Sequence, residues 1–283
     1  CYLLYLKWNF LILLSIYKNN AMNTFNFEHF IREVTEEEVT FYQEFGWVMM
    51  KGLVDPLFVS KLLDIGKEWQ ERLESDYDKS NPSRGLALDE NAGPFHHFMF
   101  SERMVQNATR LVNRKRLKGV DIPLRYRRDM LVLKPPGAKG SIYHQDASEH
   151  GSDRGGELQF WLALAEVNPE MGAMRFVNRS HREGLLGSVF KDDQGDLLKQ
   201  YPLLVNELGL SEPFHYMPGD CTVHHGFTVH GGPDNTSLMP RWSYLFSYTP
   251  SDTRYWNAST SNWGSERKRL GDEENPIAHT NFI

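Results

Sequence analysis

Met130-Leu131-Val132-Leu133, followed by Leu158-Gln159-Phe160-Trp161-Leu162-Ala163-Leu164-Ala165, opens a series of short apolar runs. Ala173 to Val177, Cys221 to His225 and Trp242 to Tyr248 continue it. Glycine, proline and asparagine punctuate the gaps, which marks strands joined by turns. No long helix separates these runs, so the pattern predicts a sandwich or barrel rather than a parallel α/β sheet. The part upstream reads differently. Thr35-Glu36-Glu37-Glu38 is a capping box ahead of Val39, Phe41 and Phe45. Asp55-Pro56 starts a second helix, whose apolar face is Phe58, Leu62, Ile65, Trp69 and Leu73. Gly46 to Met50 between them predicts a short strand, and Ser101 to Leu117 a third helix with Met104, Ala108, Leu111 and Val112 inward. The fold class is mainly β with flanking helices.

Composition narrows the function. The chain has 283 residues, 40% hydrophobic, enough for one large β-rich domain or two small ones. Its net charge of −6 implies no basic face, so nucleic acid is not an expected partner. Two cysteines, Cys1 and Cys221, cannot build a disulfide framework and suit a reducing, cytoplasmic setting. Tyr2 to Tyr17 is apolar but short for a membrane span. The chain opens on Cys and an ordinary polar sequence begins at Met22. Residues 1–21 are therefore expected to be a non-native or untranslated leader, with 22–283 as one domain.

The chemistry sits in His144-Gln145-Asp146, His230 and Arg241. Alternation in a strand turns residues two apart to one face, so His144 and Asp146 can reach one metal with Gln145 turned away. Two histidines and a carboxylate are the facial donor set of non-haem Fe(II), with coordination positions left open. His224, His225 and His230 all compete for the second imidazole position. Strict alternation puts His224 and His230 on one face, but a turn at Gly226 breaks that inference. Arg241 and Ser243 share a strand face, a guanidinium and a hydroxyl suited to the far carboxylate of a diacid. A simple hydrogen-bonded His144–Asp146 pair, and an Arg241 neutralised by one of the 37 acidic residues, are the bland alternatives.

Lys134-Pro135-Pro136 before His144-Gln145-Asp146, Asn168 to Gly172 leading to Asn178-Arg179-Ser180-His181, and Gly219-Asp220 through His230 to Asn235 and Arg241 resemble the phytanoyl-CoA dioxygenase family of 2-oxoglutarate-dependent oxygenases. The resemblance covers roughly residues 129 to 250. It implies a double-stranded β-helix, a jelly-roll barrel, with His144, Asp146 and His230 holding Fe(II). It implies Arg241, Ser243 and Trp161 around 2-oxoglutarate, and oxidation of a small organic molecule by O2 with release of succinate and CO2. Asp146 favours hydroxylation over halogenation, since related halogenases carry a small residue there. Gly232 departs from the pattern, in which a serine commonly stands. The competing readings are a metal-dependent isomerase or hydrolase on the same barrel, or a binding barrel without chemistry.

The substrate is less legible. Pro94 to Phe100, Trp47 and Phe190 either line an apolar pocket or pack as ordinary core. Arg125, Arg127 and Arg128 either meet an anionic substrate or form a solvated strand edge. Ser80 to Met99 and Arg182 to Pro213 are expected as loops over the mouth of the site, and Ser251 to Ile283 as a wrapping tail. A monomer or homodimer without a membrane partner is the expected assembly.

Overall fold

The capping box at Thr35 forms: Glu38 N–H donates to Thr35 Oγ1, and Thr35 N–H to Glu38 Oε2. It opens helix α1 (Glu36–Phe45), which ends at Gly46 in the left-handed region. A Cβ at Gly46 would lie 2.2 Å from His181 Nδ1, so only glycine fits. In this computed structural model the described residues are 27–75, 86–88, 93–112, 122–150, 154–186 and 195–254. Expectations for residues 1–21, Phe190 and the tail beyond 254 lie outside them. Among the described residues, no helix is long and apolar enough to cross a membrane.

Asp55 Oδ1 accepts from Leu57 N–H at the start of α2 (Pro56–Ser75). Two more helices follow, α3 (Gly93–Met99) and α4 (Glu102–Val112), the latter opened by Ser101 Oγ accepting from Met104 N–H. Among the described residues, eight antiparallel strands form two sheets: β1 (Trp47–Met50), β2 (Leu124–Lys134), β3 (Ser141–His144), β4 (Leu158–Ala163), β5 (Arg175–Phe176), β6 (Cys221–His225), β7 (His230–Gly232) and β8 (Arg241–Pro250). The larger sheet has the order β1-β6-β4-β8-β2 and the smaller β3-β7-β5. This is the expected mainly-β jelly roll with helices buttressing one side, as two facing sheets; no closed barrel forms among the described residues.

Register separates the two faces of the large sheet. Leu158, Phe160 and Leu162 of β4, Val223 of β6 and Tyr244, Phe246 and Tyr248 of β8 join α2, α3 and α4 in the main core. Phe95 packs on Tyr244 at 4.7 Å and Phe98 on Phe246 at 5.3 Å. These aromatics, with Leu86 and Ala87, are therefore core on the helix side, not a lid over the site. The opposite face carries Gln159, Trp161 and Ala163, then Thr222 and His224, and Arg241, Ser243 and Ser247. All eight of these residues are buried. A dry polar face of this kind is costly unless it serves bound groups.

Two sequence expectations need correction. Leu197–Gln200 and Leu204–Leu208 form short helices, whose Leu197 and Leu204 pack with Ile142, Tyr143 and Val177 near the small sheet. That part of the Arg182 to Pro213 stretch is thus structured support. The Arg125–Arg128 cluster is not a solvated edge. Arg127 lies on a bulge, is 3% exposed and pairs with Glu157 at 2.9 Å.

Candidate metal centre and carboxylate socket

His144 and His230 are direct partners across the β3–β7 ladder, which brings their rings to a centroid distance of 4.3 Å. Each ring is held in the same way. His144 Nδ1 lies 2.8 Å from the Ile142 carbonyl, and His230 Nδ1 3.0 Å from the Thr228 carbonyl. A carbonyl only accepts, so both Nδ1 atoms carry the proton. Each ring then presents a lone pair at Nε2, the form that binds a cation.

Asp146 completes the cluster by a route other than strand alternation. Strand β3 ends at His144. Gln145 and Asp146 lie in the turn ahead of a short helix, Ala147–His150. Asp146 Oδ1 is 3.5 Å from His144 Nε2, and Oδ2 is 3.7 Å from His230 Nε2. One donor atom from each of the three residues lies within 4.8 Å of the others, and all three are buried. Gln145 faces away, as expected, and anchors the turn. Its Nε2 donates to the Gly184 and Phe227 carbonyls, and its Oε1 accepts from Leu186 N–H.

The competing histidines separate cleanly. His225 faces away, with Nδ1 and Nε2 near the amides of Phe227 and Gly156. Burial, followed by the nearby His181, lowers its pKa to about 4. His224 turns inward, but its Nε2 donates to Asp146 Oδ2 at 2.9 Å, so it orients the carboxylate. Burial raises the Asp146 pKa, but His230, His144 and His224 together hold it well below the usual range. Burial, then His224 and His144, push His230 well below its ordinary value. An anionic carboxylate and a neutral imidazole are the ionisation states that bind a divalent metal. His224 was not assigned this role from sequence, although its parity with His230 pointed to it.

Arg241 sits on the same sheet face, 7% exposed. It donates to the Gly172 carbonyl and lies 5.3 Å from the centre of the Trp161 ring. Among the described residues no carboxylate pairs with it, and its Nε is buried without a partner. Burial drops its pKa to about 10. Lys134, its Cα partner on β2, is lowered to about 8 by burial and then by Arg241. A buried guanidinium without an anion is an open socket for a carboxylate. Ser243 is fully buried one step along the same face, with Oγ 3.4 Å from the Val132 carbonyl. Trp161, with Ala163, Val167, Met171, Ala173 and Tyr216, supplies an apolar wall. At Gly232 a Cβ would lie 3.2 Å from the carbonyl oxygens of Gly172 and Ala173, which leaves little room for the serine of the family pattern.

Two antiparallel sheets enclosing a buried donor cluster define a cupin-like jelly roll. The family model for phytanoyl-CoA dioxygenase (PhyH) matches residues 42–243. The chain belongs to this family. Among curated relatives, phytanoyl-CoA dioxygenase domain-containing protein 1 of Danio rerio is 28% identical over 144 residues, 47% of this chain and 47% of that protein. Phytanoyl-CoA dioxygenase of Arabidopsis thaliana is 27% identical over 135 residues, again 47% of each. The chain thus spans about half the length of the curated relatives it matches. Two solved structures share the fold. The non-heme alpha ketoglutarate dependent carbocyclase SnoK has a TM-score of 0.67 at 21% identity, over 87% of this chain and 95% of its own. EctD from S. alaskensis, solved with 2-oxoglutarate and 5-hydroxyectoine, has a TM-score of 0.63 at 15% identity, over 82% and 83%.

Proposed function

We propose that this protein is an Fe(II)- and 2-oxoglutarate-dependent dioxygenase that hydroxylates a small organic molecule with release of succinate and CO2. The observation that carries this is one buried face holding both a His144–Asp146–His230 cluster and an arginine with no counter-charge among the described residues. The donor chemistry fits Fe(II): the imidazoles of His144 and His230 and the carboxylate of Asp146 would hold it. When bound, the iron and 2-oxoglutarate supply oxidation by O2.

The chain's own residues set the stage. His144 and His230 present Nε2 because backbone carbonyls hold Nδ1–H. His224 fixes the second oxygen of Asp146. Arg241 is matched to the far carboxylate of 2-oxoglutarate, with Ser243 and Trp161 beside it. The apolar wall around Trp161 excludes water, which strengthens each polar contact inside. We take 22–283 as one catalytic domain, monomeric or homodimeric, acting in the cytoplasm on a small-molecule substrate. An isomerase or hydrolase on the same barrel has no use for the Arg241 socket.

The test is anaerobic absorbance on adding Fe(II) and 2-oxoglutarate, followed by succinate release on admitting O2. Both signals are expected, and Asp146→Ala is expected to lose both. Succinate formation by metal-free protein would refute the proposal.

A further inference from the structure

Two side chains on the inner face of the large sheet carry polar atoms with no partner among the described residues, and neither serves the metal or the 2-oxoglutarate socket. Arg125 is half-buried, and its Nε and Nη1 are closed off from solvent with no hydrogen-bond acceptor among the described residues. Gln159 Oε1 is equally unpartnered, on a side chain that is almost wholly buried. The amide orientation of Gln159 follows from its other end. Nε2 donates to Glu157 Oε1 at 2.5 Å, and a carboxylate only accepts, so Oε1 must point elsewhere. Buried orphans of this kind are uncommon in native proteins and call for an explanation.

Both groups share the face of the metal cluster. Gln159 is the Cα partner of His224 on one side and Ser247 on the other. Arg125 is the partner of Thr249, which alternation puts on the same face as Ser247, Ser243 and Arg241. His224 touches Asp146, so Gln159 is one strand from the metal cluster and Arg125 three, roughly 14 Å across the sheet. Burial, and then the neighbouring Arg254, lower the Arg125 pKa, so an arriving anion relieves both penalties.

We propose that the primary substrate is a small carboxylic acid bearing a hydroxyl or amine, its carboxylate held by Arg125 and its donor by Gln159 Oε1. This rests on the oxygenase reading above. The guanidinium fork matches a carboxylate in plane, and the amide oxygen takes one proton donor between that anchor and the metal. The carbon beside the donor group then faces the His144–Asp146–His230 cluster.

The probes are terminally hydroxylated butanoate, hexanoate and octanoate, their methyl esters, and the parent acids without the hydroxyl. Calorimetric titration into the anaerobic protein loaded with Fe(II) and 2-oxoglutarate measures binding without turnover. At least one hydroxy acid is expected to bind roughly 10- to 100-fold more tightly than its ester, the worth of a charge-assisted contact. Its parent acid is expected to bind several-fold more weakly. Arg125→Gln should abolish the preference for acid over ester. Arg125→Lys, which keeps the charge but not the fork, should retain part of it. Gln159→Leu should remove only the preference for the hydroxyl. Equal binding of acids and esters, or a preference that survives Arg125→Gln, overturns the proposal. Loss of the iron–2-oxoglutarate absorbance in the same wild-type sample would instead overturn the oxygenase reading.

Discussion

Arg241→Met separates a binding role from a structural one. The guanidinium is buried, makes one hydrogen bond to the Gly172 carbonyl and has no carboxylate partner among the described residues. Methionine keeps most of the apolar stem and removes the charge. Losing the bond to Gly172 costs about 1 kcal/mol. Removing a buried, unpaired cation offsets much of that, because its desolvation is no longer uncompensated. The net change in folding stability is therefore small, a few degrees in Tm at about 2–4 °C per kcal/mol for a domain of this size. Binding behaves oppositely. Truncating one partner of a buried charge pair costs roughly 2–5 kcal/mol, and about 3 kcal/mol weakens 2-oxoglutarate roughly 150-fold. Anaerobic titration of 2-oxoglutarate, followed by absorbance, reads the affinity; a thermal melt reads the stability. A Tm loss above about 10 °C with unchanged affinity would make Arg241 a structural strut and sink the socket argument.

His224→Phe preserves ring volume but removes the donor to Asp146 Oδ2, so Fe(II) affinity should fall about 10- to 100-fold in a metal titration; a change below twofold would contradict the orienting role. His225 titrates near 4 in the folded protein and near 6.5 unfolded, so between those values the unfolded chain binds more protons. Its stabilising contribution is present above pH 6.5 and lost as pH falls toward 4, and denaturant melts of His225→Asn should show a shallower acid loss. Thr35→Ala removes one half of the capping box and should cost about 0.5–2 kcal/mol by chemical denaturation, with metal affinity unchanged.

The sheets were legible because most of their strands are buried apolar runs bounded by turn residues, and six of the eight described strands, β1 among them, read directly. β3 and β7 are short and polar, with Ser141–His144 and His230–Gly232 carrying no apolar signal, so the small sheet showed only through its ligands. His144, Asp146 and His230, the residues singled out from sequence, do cluster in the structure, but the reason given for Asp146 was wrong in detail. Backbone alternation does not reach past His144; the turn does the work. The choice among His224, His225 and His230 could not be made from parity, since all three are close to the turn at Gly226. The family resemblance favoured His230, and strand pairing places His230 opposite His144. Gln159 and Lys134 were not singled out individually. Each faces the site on a strand, and only the ladder register reveals which face is inward.

Gln145 is the spacer that a motif leaves blank, yet its amide grips the backbone at Gly184, Leu186 and Phe227. The turn carrying Asp146 is therefore fastened to two remote stretches of chain. A substitution to glutamate, only one atom different, would set a carboxylate against two carbonyl oxygens and loosen that fastening. Changes around residues 184–186 are consequently transmitted to the Asp146 carboxylate without touching it, so evolution or engineering of this remote stretch also sets where that carboxylate stands.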